Sequence, residues 1–266
     1  MFSFFQLSAK RLVKVCGVTN KDDALVAAAA GANIIGVIFA EGSPRRVTVE
    51  QAREIVKAVQ GFGERKQPKH MEPPTRTDSN KGWFHDWAKT LIESSHRTPL
   101  VAGVFQNQPL DEIRRVATEA SLDLVQLHGD EGMEACGECG VPAMRVVHVP
   151  AEARATSDAG TPSAEARARS ILDQITPGYA AAVLLDTTID GVQGGAGVTF
   201  DHEVAKLVGD AGLPVIVAGG LNADNVRQTV IDTQGFGVDV SSGVEASKGV
   251  KDHELVKKFL TQARDG

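Results

Sequence analysis

A closed α/β barrel of eight parallel strands and eight helices is the fold class this sequence predicts. Three observations carry that expectation. Short β-branched apolar runs recur along the whole chain, each followed by a loop and an Ala-rich helical stretch. The runs are continuously apolar rather than alternating, which marks strands buried on both faces of a sheet covered by helices. The chain has 266 residues, and a (β/α)8 barrel of roughly 250 residues forms one domain.

The apolar runs fall near residues 12–16, 34–39, 100–105, 124–127, 143–147, 181–185, 214–218 and 238–240. Helical composition fills the spaces between them. After the first two runs come 22–30 and 50–59, with Thr48 placed to cap the second helix. The next helices are expected at 111–120, 131–139, 164–175, 203–208, 223–230 and 252–263, of which 131–139 has the weakest pattern. An open doubly wound sheet is the alternative, but its usual G-x-G-x-x-G turn after the first strand is absent. The expectation is therefore a single TIM barrel over 1–266 with two inserts. The insert at about 61–97 begins polar and Pro-rich, then carries Trp83, Phe84 and Trp87, which suit a short helix docking on the barrel. It joins a helix to the next strand, so it should lie on the N-terminal face, away from chemistry. The insert at about 151–163 follows the fifth strand and should sit at the rim of the catalytic face.

Composition removes several function classes. The net charge is −6 with no run of Lys or Arg, which argues against a nucleic-acid surface. Three cysteines, Cys16, Cys136 and Cys139, make no disulfide framework and suit a reducing cytoplasm. The apolar residues of the first ten positions are too few for a signal-peptide core. No apolar stretch approaches the roughly 20 residues that cross a bilayer. The single C-x-x-C at Cys136 and Cys139 lacks the second pair of a structural zinc site and reads as packing.

Barrel chemistry sits at the C-terminal strand ends. The first strand ends at Cys16-Gly17, so the thiol should face the barrel mouth unless it is merely a buried small residue. After the second strand, Ser43-Pro44-Arg45-Arg46 offers a guanidinium fork for a carboxylate or phosphate, or else a solvated loop. Gln126 and His128 alternate with apolar neighbours at the fourth strand end and share one face, although His128 would also serve as a structural histidine. Asp186 ends the sixth apolar run; burial there is costly unless the carboxylate is paired or functional, and partial burial would raise its pKa as a general acid requires. A Gly-rich segment including Gly195 follows. Gly219-Gly220 and Ser241-Ser242-Gly243 fall at the last two strand ends, where barrels commonly bind phosphate through backbone N–H groups.

Taken in order, these motifs resemble the phosphoribosylanthranilate isomerase family, and the insert at about 61–97 resembles those of its fungal members. The matching stretches are Val13-Lys14-Val15-Cys16-Gly17-Val18-Thr19, Ser43-Pro44-Arg45-Arg46, Val125-Gln126-Leu127-His128-Gly129-Asp130, Leu184-Leu185-Asp186-Thr187, Gly194-Gly195-Ala196-Gly197, Ala218-Gly219-Gly220-Leu221-Asn222 and Asp239-Val240-Ser241-Ser242-Gly243-Val244-Glu245. The resemblance implies an Amadori rearrangement in tryptophan biosynthesis, with Cys16 as general base, Asp186 as general acid and Arg45 binding the anthranilate. It implies a phosphorylated small-molecule substrate, no metal and no organic cofactor. Family members also occur within larger tryptophan-pathway proteins, so such enzymes are possible partners, and the stretch Phe2–Leu7 would suit a linker end. Lys14, two residues before Cys16 on the same strand face, is expected to favour the thiolate. A sugar isomerase of histidine synthesis would carry a carboxylate at the position of Cys16, and an indole-glycerol-phosphate synthase would use a lysine acid.

Overall fold

The structure, a computed structural model, describes residues 11–62, 70–75, 79–150, 162–189, 192–193 and 202–266. Strand β1 (Leu12–Val15) leads through α1 (Lys21–Ala29) to β2 (Ile34–Ile38), and α2 (Val49–Phe62) and α3 (Asn80–Ser94) precede β3 (Leu100–Phe105). Next come α4 (Leu110–Ala120), β4 (Leu124–Leu127), a 3₁₀ turn (Glu134–Glu138) and β5 (Ala143–Pro150). They are followed by α5 (Ala164–Asp173), β6 (Ala182–Ile189), β7 (Val192–Gln193), α6 (His202–Asp210), β8 (Val215–Val217), α7 (Val226–Thr233) and β9 (Gly237–Val240). The short antiparallel pair β10 (Glu245–Ser247) and β11 (Val250–Lys251) precedes α8 (His253–Arg264).

Hydrogen-bonded neighbours run β5-β4-β3-β2-β1-β9-β8-β6, and β5 also pairs with β6, so eight parallel strands close a ring with helices between them. This is a (β/α)8 TIM barrel. Strand β7 is an antiparallel addition to β6. The sequence explains the closure. Val, Ile and Leu are the commonest residues of the barrel strands and are buried on both faces, as parallel strands require. Gly103 leaves space in the ring for Phe39 and Phe105, which stack with centroids 5.0 Å apart. Thr48 does cap α2: its Oγ1 accepts from the Gln51 N–H at 3.2 Å, while Gln51 Oε1 accepts from the Thr48 N–H at 2.8 Å.

Helix α3 lies across the strand-entry end of the ring. Trp83, Phe84 and Trp87 are buried there, and Trp83 Nε1 donates to the carbonyl of Ala180, just before β6, at 2.7 Å. Asn80 Nδ2 donates to Ile175 at 2.8 Å, so both anchors face away from the strands' C-terminal ends.

Three details differ from expectation. The helix expected at 131–139 is a 3₁₀ turn, Glu134–Glu138, bracketed by Gly132 and Gly140 with positive φ of 83° and 80°. Backbone in that region cannot continue an α-helix. Strand β6 does not end near Asp186 but runs to Ile189, because β5 extends to Pro150 and pairs with it residue for residue. Helix α7 begins at Val226 rather than 223, because Asn222 Oδ1 accepts from the N–H groups of Asp224 and Asn225 and holds a turn instead.

Candidate active site

The C-terminal strand ends surround a cavity of about 380 Å³ whose lining includes Cys16, Arg45, Gln126, His128, Asp186, Gly219, Gly220, Ser241 and Ser242. All nine were named from sequence, and the fold brings them to one place. Gly243 stands just behind: a Cβ there would overlap the carbonyl oxygen of Leu221, so glycine is what lets the loops after β8 and β9 touch. Gly195 and residues 151–161 lie outside the described residues.

Cys16 is the first residue past β1, and its N–H donates to the carbonyl of Val240 on β9 at 2.7 Å. A Cβ at Gly36 on the neighbouring strand β2 would sit 2.7 Å from Cys16 Sγ, so that glycine makes room for the sulfur. Lys14 lies level with Asp239 in the β1–β9 register, and its Nζ donates to Asp239 Oδ2 at 2.7 Å. Burial alone would lower the Lys14 pKa, but Asp239 and Cys16 together outweigh it and hold the ammonium above its usual range. Lys14 does draw the thiol toward ionisation, as expected. Burial wins, however, and with the charge of Asp239 it raises the Cys16 pKa overall. The expected pull of Lys14 on the thiol is thus present, and the net rise comes from desolvation, which the sequence does not show.

A titration follows. Alkylation of Cys16 by iodoacetamide is expected to show an apparent pKa above that of an ordinary thiol, because the reactive thiolate forms only as pH rises past the raised value. Cys136 and Cys139, both held near 12 by burial, should stay silent below that range. A midpoint below the ordinary range, located to Cys16 by mass spectrometry, would contradict this assignment.

Asp186 is buried on β6, with Oδ2 3.5 Å from His128 Nε2. Burial above all, with the positive charges of Lys14 and Arg145 adding to it, lowers the His128 pKa to about 3. The carboxyl therefore faces a neutral imidazole rather than an imidazolium at ordinary pH. Arg145 fixes the segment carrying His128. Its guanidinium pairs with Glu131 at 2.9 Å and donates to the carbonyls of Leu127 and Gly129. Gln126 Oε1 is buried without a hydrogen-bond partner among the described residues and is available to a ligand hydroxyl.

Arg45 reaches the cavity because Gly17, at φ 70°, has no Cβ; one there would come within 2.6 Å of Arg45 Cδ. Its Nε and Nη2 donate to the two carboxylate oxygens of Glu245 at 2.6 and 2.8 Å, and Lys251 Nζ adds a third bond to Glu245 at 3.0 Å. A guanidinium has five N–H donors, so this clamp leaves donors for a ligand carboxylate. Gly219 and Gly220 take consecutive positive φ of 91° and 63°, a turn that only glycines enter cheaply.

Sequence reasoning gave no role to Asp239, Glu245 or Lys251. Asp239 and Glu245 stood inside a quoted motif. Asp239 carried the signal used for Asp186, a carboxylate beside a buried apolar run.

The family described as N-(5'phosphoribosyl)anthranilate (PRA) isomerase matches this chain over residues 61–262. A tryptophan biosynthesis protein of Phytophthora nicotianae is 44% identical over 257 residues, covering 96% of this chain but 47% of that protein. A multifunctional tryptophan biosynthesis protein of Phycomyces blakesleeanus is 34% identical, and this chain spans 32% of it. Those two relatives are thus much longer than the chain. An N-(5'-phosphoribosyl)anthranilate isomerase of Pseudomonas paraeruginosa is of similar length: 36% identical, covering 95% of this chain and 94% of that protein. A phosphoribosyl anthranilate isomerase solved in complex with reduced 1-(o-carboxyphenylamino)-1-deoxyribulose 5-phosphate superposes with a TM-score of 0.66 at 28% identity, covering 96% of this chain and 100% of that one. With a family match over residues 61–262 and a relative of similar length at 36% identity, the chain belongs to the N-(5'-phosphoribosyl)anthranilate isomerase family.

Proposed function

We propose that Asp186 and Cys16 are the acid and base of the family's reaction in this chain. That reaction, a step of tryptophan biosynthesis, converts N-(5-phosphoribosyl)anthranilate into 1-(2-carboxyphenylamino)-1-deoxyribulose 5-phosphate. Asp186 protonates the ribose ring oxygen as the C1–O bond breaks, and the anilinic nitrogen supplies the electrons that form the Schiff base. Cys16 then removes the C2 proton. The C2–H electrons form the C1=C2 bond as the C1=N π pair returns to nitrogen, giving an enolamine that tautomerises to the ketone. The observation that carries this reading is that the two groups, from β1 and β6, line one cavity with the glycine turns of β8 and β9.

The other residues are substrate-binding in this reading. Backbone N–H groups at Gly219, Gly220 and the segment Ser241, Ser242 and Gly243 hold the phosphate. Gly195, outside the described residues, is assigned to the substrate with them. Gln126 and His128 address the ribose, and Arg45 takes the anthranilate carboxylate. Arg45→Ala is expected to raise KM for the ribosylamine while kcat changes little. A charge-assisted hydrogen bond is worth about 1.5–3 kcal/mol, or about ten- to hundredfold in KM. Glu245 keeps Lys251 as partner, so the loop should remain folded. An unchanged KM would remove Arg45 from the substrate site.

The experiment for the whole reading follows the fluorescence of phosphoribosylanthranilate as it disappears, in wild type and in Cys16→Ser, with the ribosylamine of histidine synthesis run beside it. Turnover of the anthranilate substrate alone, abolished in Cys16→Ser, is the expected result. The longer relatives support a place beside other tryptophan-pathway enzymes. Free Cys16, Cys136 and Cys139 support a cytoplasmic setting, and among the described residues no helix is long and apolar enough to cross a membrane.

A further inference from the structure

We propose that the ends of β4, β5 and β6 form a binding site for a first-row transition metal ion, with Zn2+ the best fit, held by His128, His148 and Asp186. One possible donor atom from each of the three lies within 4.8 Å of the others. Strand register explains the grouping. His148 on β5 and Asp186 on β6 are paired residues, and His128 directly follows β4, whose Leu127 pairs with Arg145 of β5.

The donors are arranged for a cation. His148 Nε2 lies 3.0 Å from the carbonyl oxygen of His128. A carbonyl only accepts, so Nε2 carries the proton and Nδ1 keeps its lone pair. That Nδ1 is buried without a hydrogen-bond partner among the described residues. A histidine whose other nitrogen is tied to a backbone carbonyl is the usual form of a metal ligand. His128 Nε2 and Asp186 Oδ2 are 3.5 Å apart. Two donors about 2.0–2.1 Å from one tetrahedral Zn2+ stand about 3.3 Å apart, so this spacing already suits a shared ion. The two imidazoles also meet edge to face, 4.9 Å between centroids, but ring packing alone gives no use to the unmet lone pair of His148 Nδ1. Two imidazoles and one carboxylate are a zinc-type donor set, and His128 and Asp186 leave the fourth position toward the cavity.

The consequence rests on the reading of Asp186 as the acid. With the ion bound, that carboxylate cannot deliver a proton to the sugar. Zn2+ therefore acts as a reversible inhibitor that competes with substrate and is removed by a chelator.

Calorimetric titration of the intact chain with Zn2+ alone reads binding without turnover. We expect one ion per chain and at least about tenfold weaker binding in both His148→Ala and His148→Gln. Urea unfolding of each variant checks that the barrel is intact. Basal turnover of the His148 variants should match wild type, while their inhibition by Zn2+ shifts by the factor seen in the calorimeter. No binding by the wild type, or equal binding by folded His148 variants, overturns the site. If those variants lose the ion while Asp186→Asn retains full turnover, the metal site stands and the acid assignment alone fails.

Discussion

Cys16→Ala is expected to lower kcat by about two to four orders of magnitude, the range general acid–base catalysis contributes. Three features make the loss large. The sulfur, one residue past β1, both ionises and lines the cavity, whereas Lys14 on β1 is tied to Asp239. Gly36 clears the space the sulfur occupies, so the position is shaped around it. The raised thiol pKa also makes the thiolate, once formed, a stronger base than an ordinary cysteine. The fold should survive, because truncating Sγ to a methyl removes one atom at the edge of an open cavity. Cys16→Ser is the companion variant. It keeps the size and loses the basicity, so it should fall nearly as far as Ala. Steady-state rates from the fluorescence assay, with urea midpoints for stability, decide the matter. Near-normal turnover in either variant would end the role of Cys16 as base.

What the sequence made legible, and what it hid, follows from the range of the interactions. Strands β3 and β4 could be bounded to the residue because β-branched apolar runs stop where polar loops begin. The ends of β5 and β6 could not, because their extension depends on each strand finding the other. The cavity residues were readable for a similar reason: a barrel puts every strand end in one ring, so naming the ends named the site. The ion pairs were hidden. Lys14 meets Asp239 across 225 positions and Arg45 meets Glu245 across 200, and no local pattern reports such pairings. Desolvation was hidden as well, so the burial that raises the Cys16 pKa could not be read while its charged neighbour could.

Asp186→Asn is the second large loss, expected at about two to four orders of magnitude in kcat with KM nearly unchanged. The substitution keeps the shape of a buried side chain beside His128 and removes only the transferable proton, so stability should hold. The two large losses can be told apart by the step each one slows. Without Asp186 the ring oxygen leaves unaided, and ring opening limits the rate. Without Cys16 the ring still opens, and removal of the C2 proton becomes limiting. Substrate deuterated at C2 separates these cases. Cys16→Ala should express a primary isotope effect, whereas in Asp186→Asn the slow earlier step should mask it. The reverse pattern would mean that Cys16 serves ring opening and Asp186 takes the C2 proton, because an isotope effect at C2 appears only where breaking that bond limits turnover.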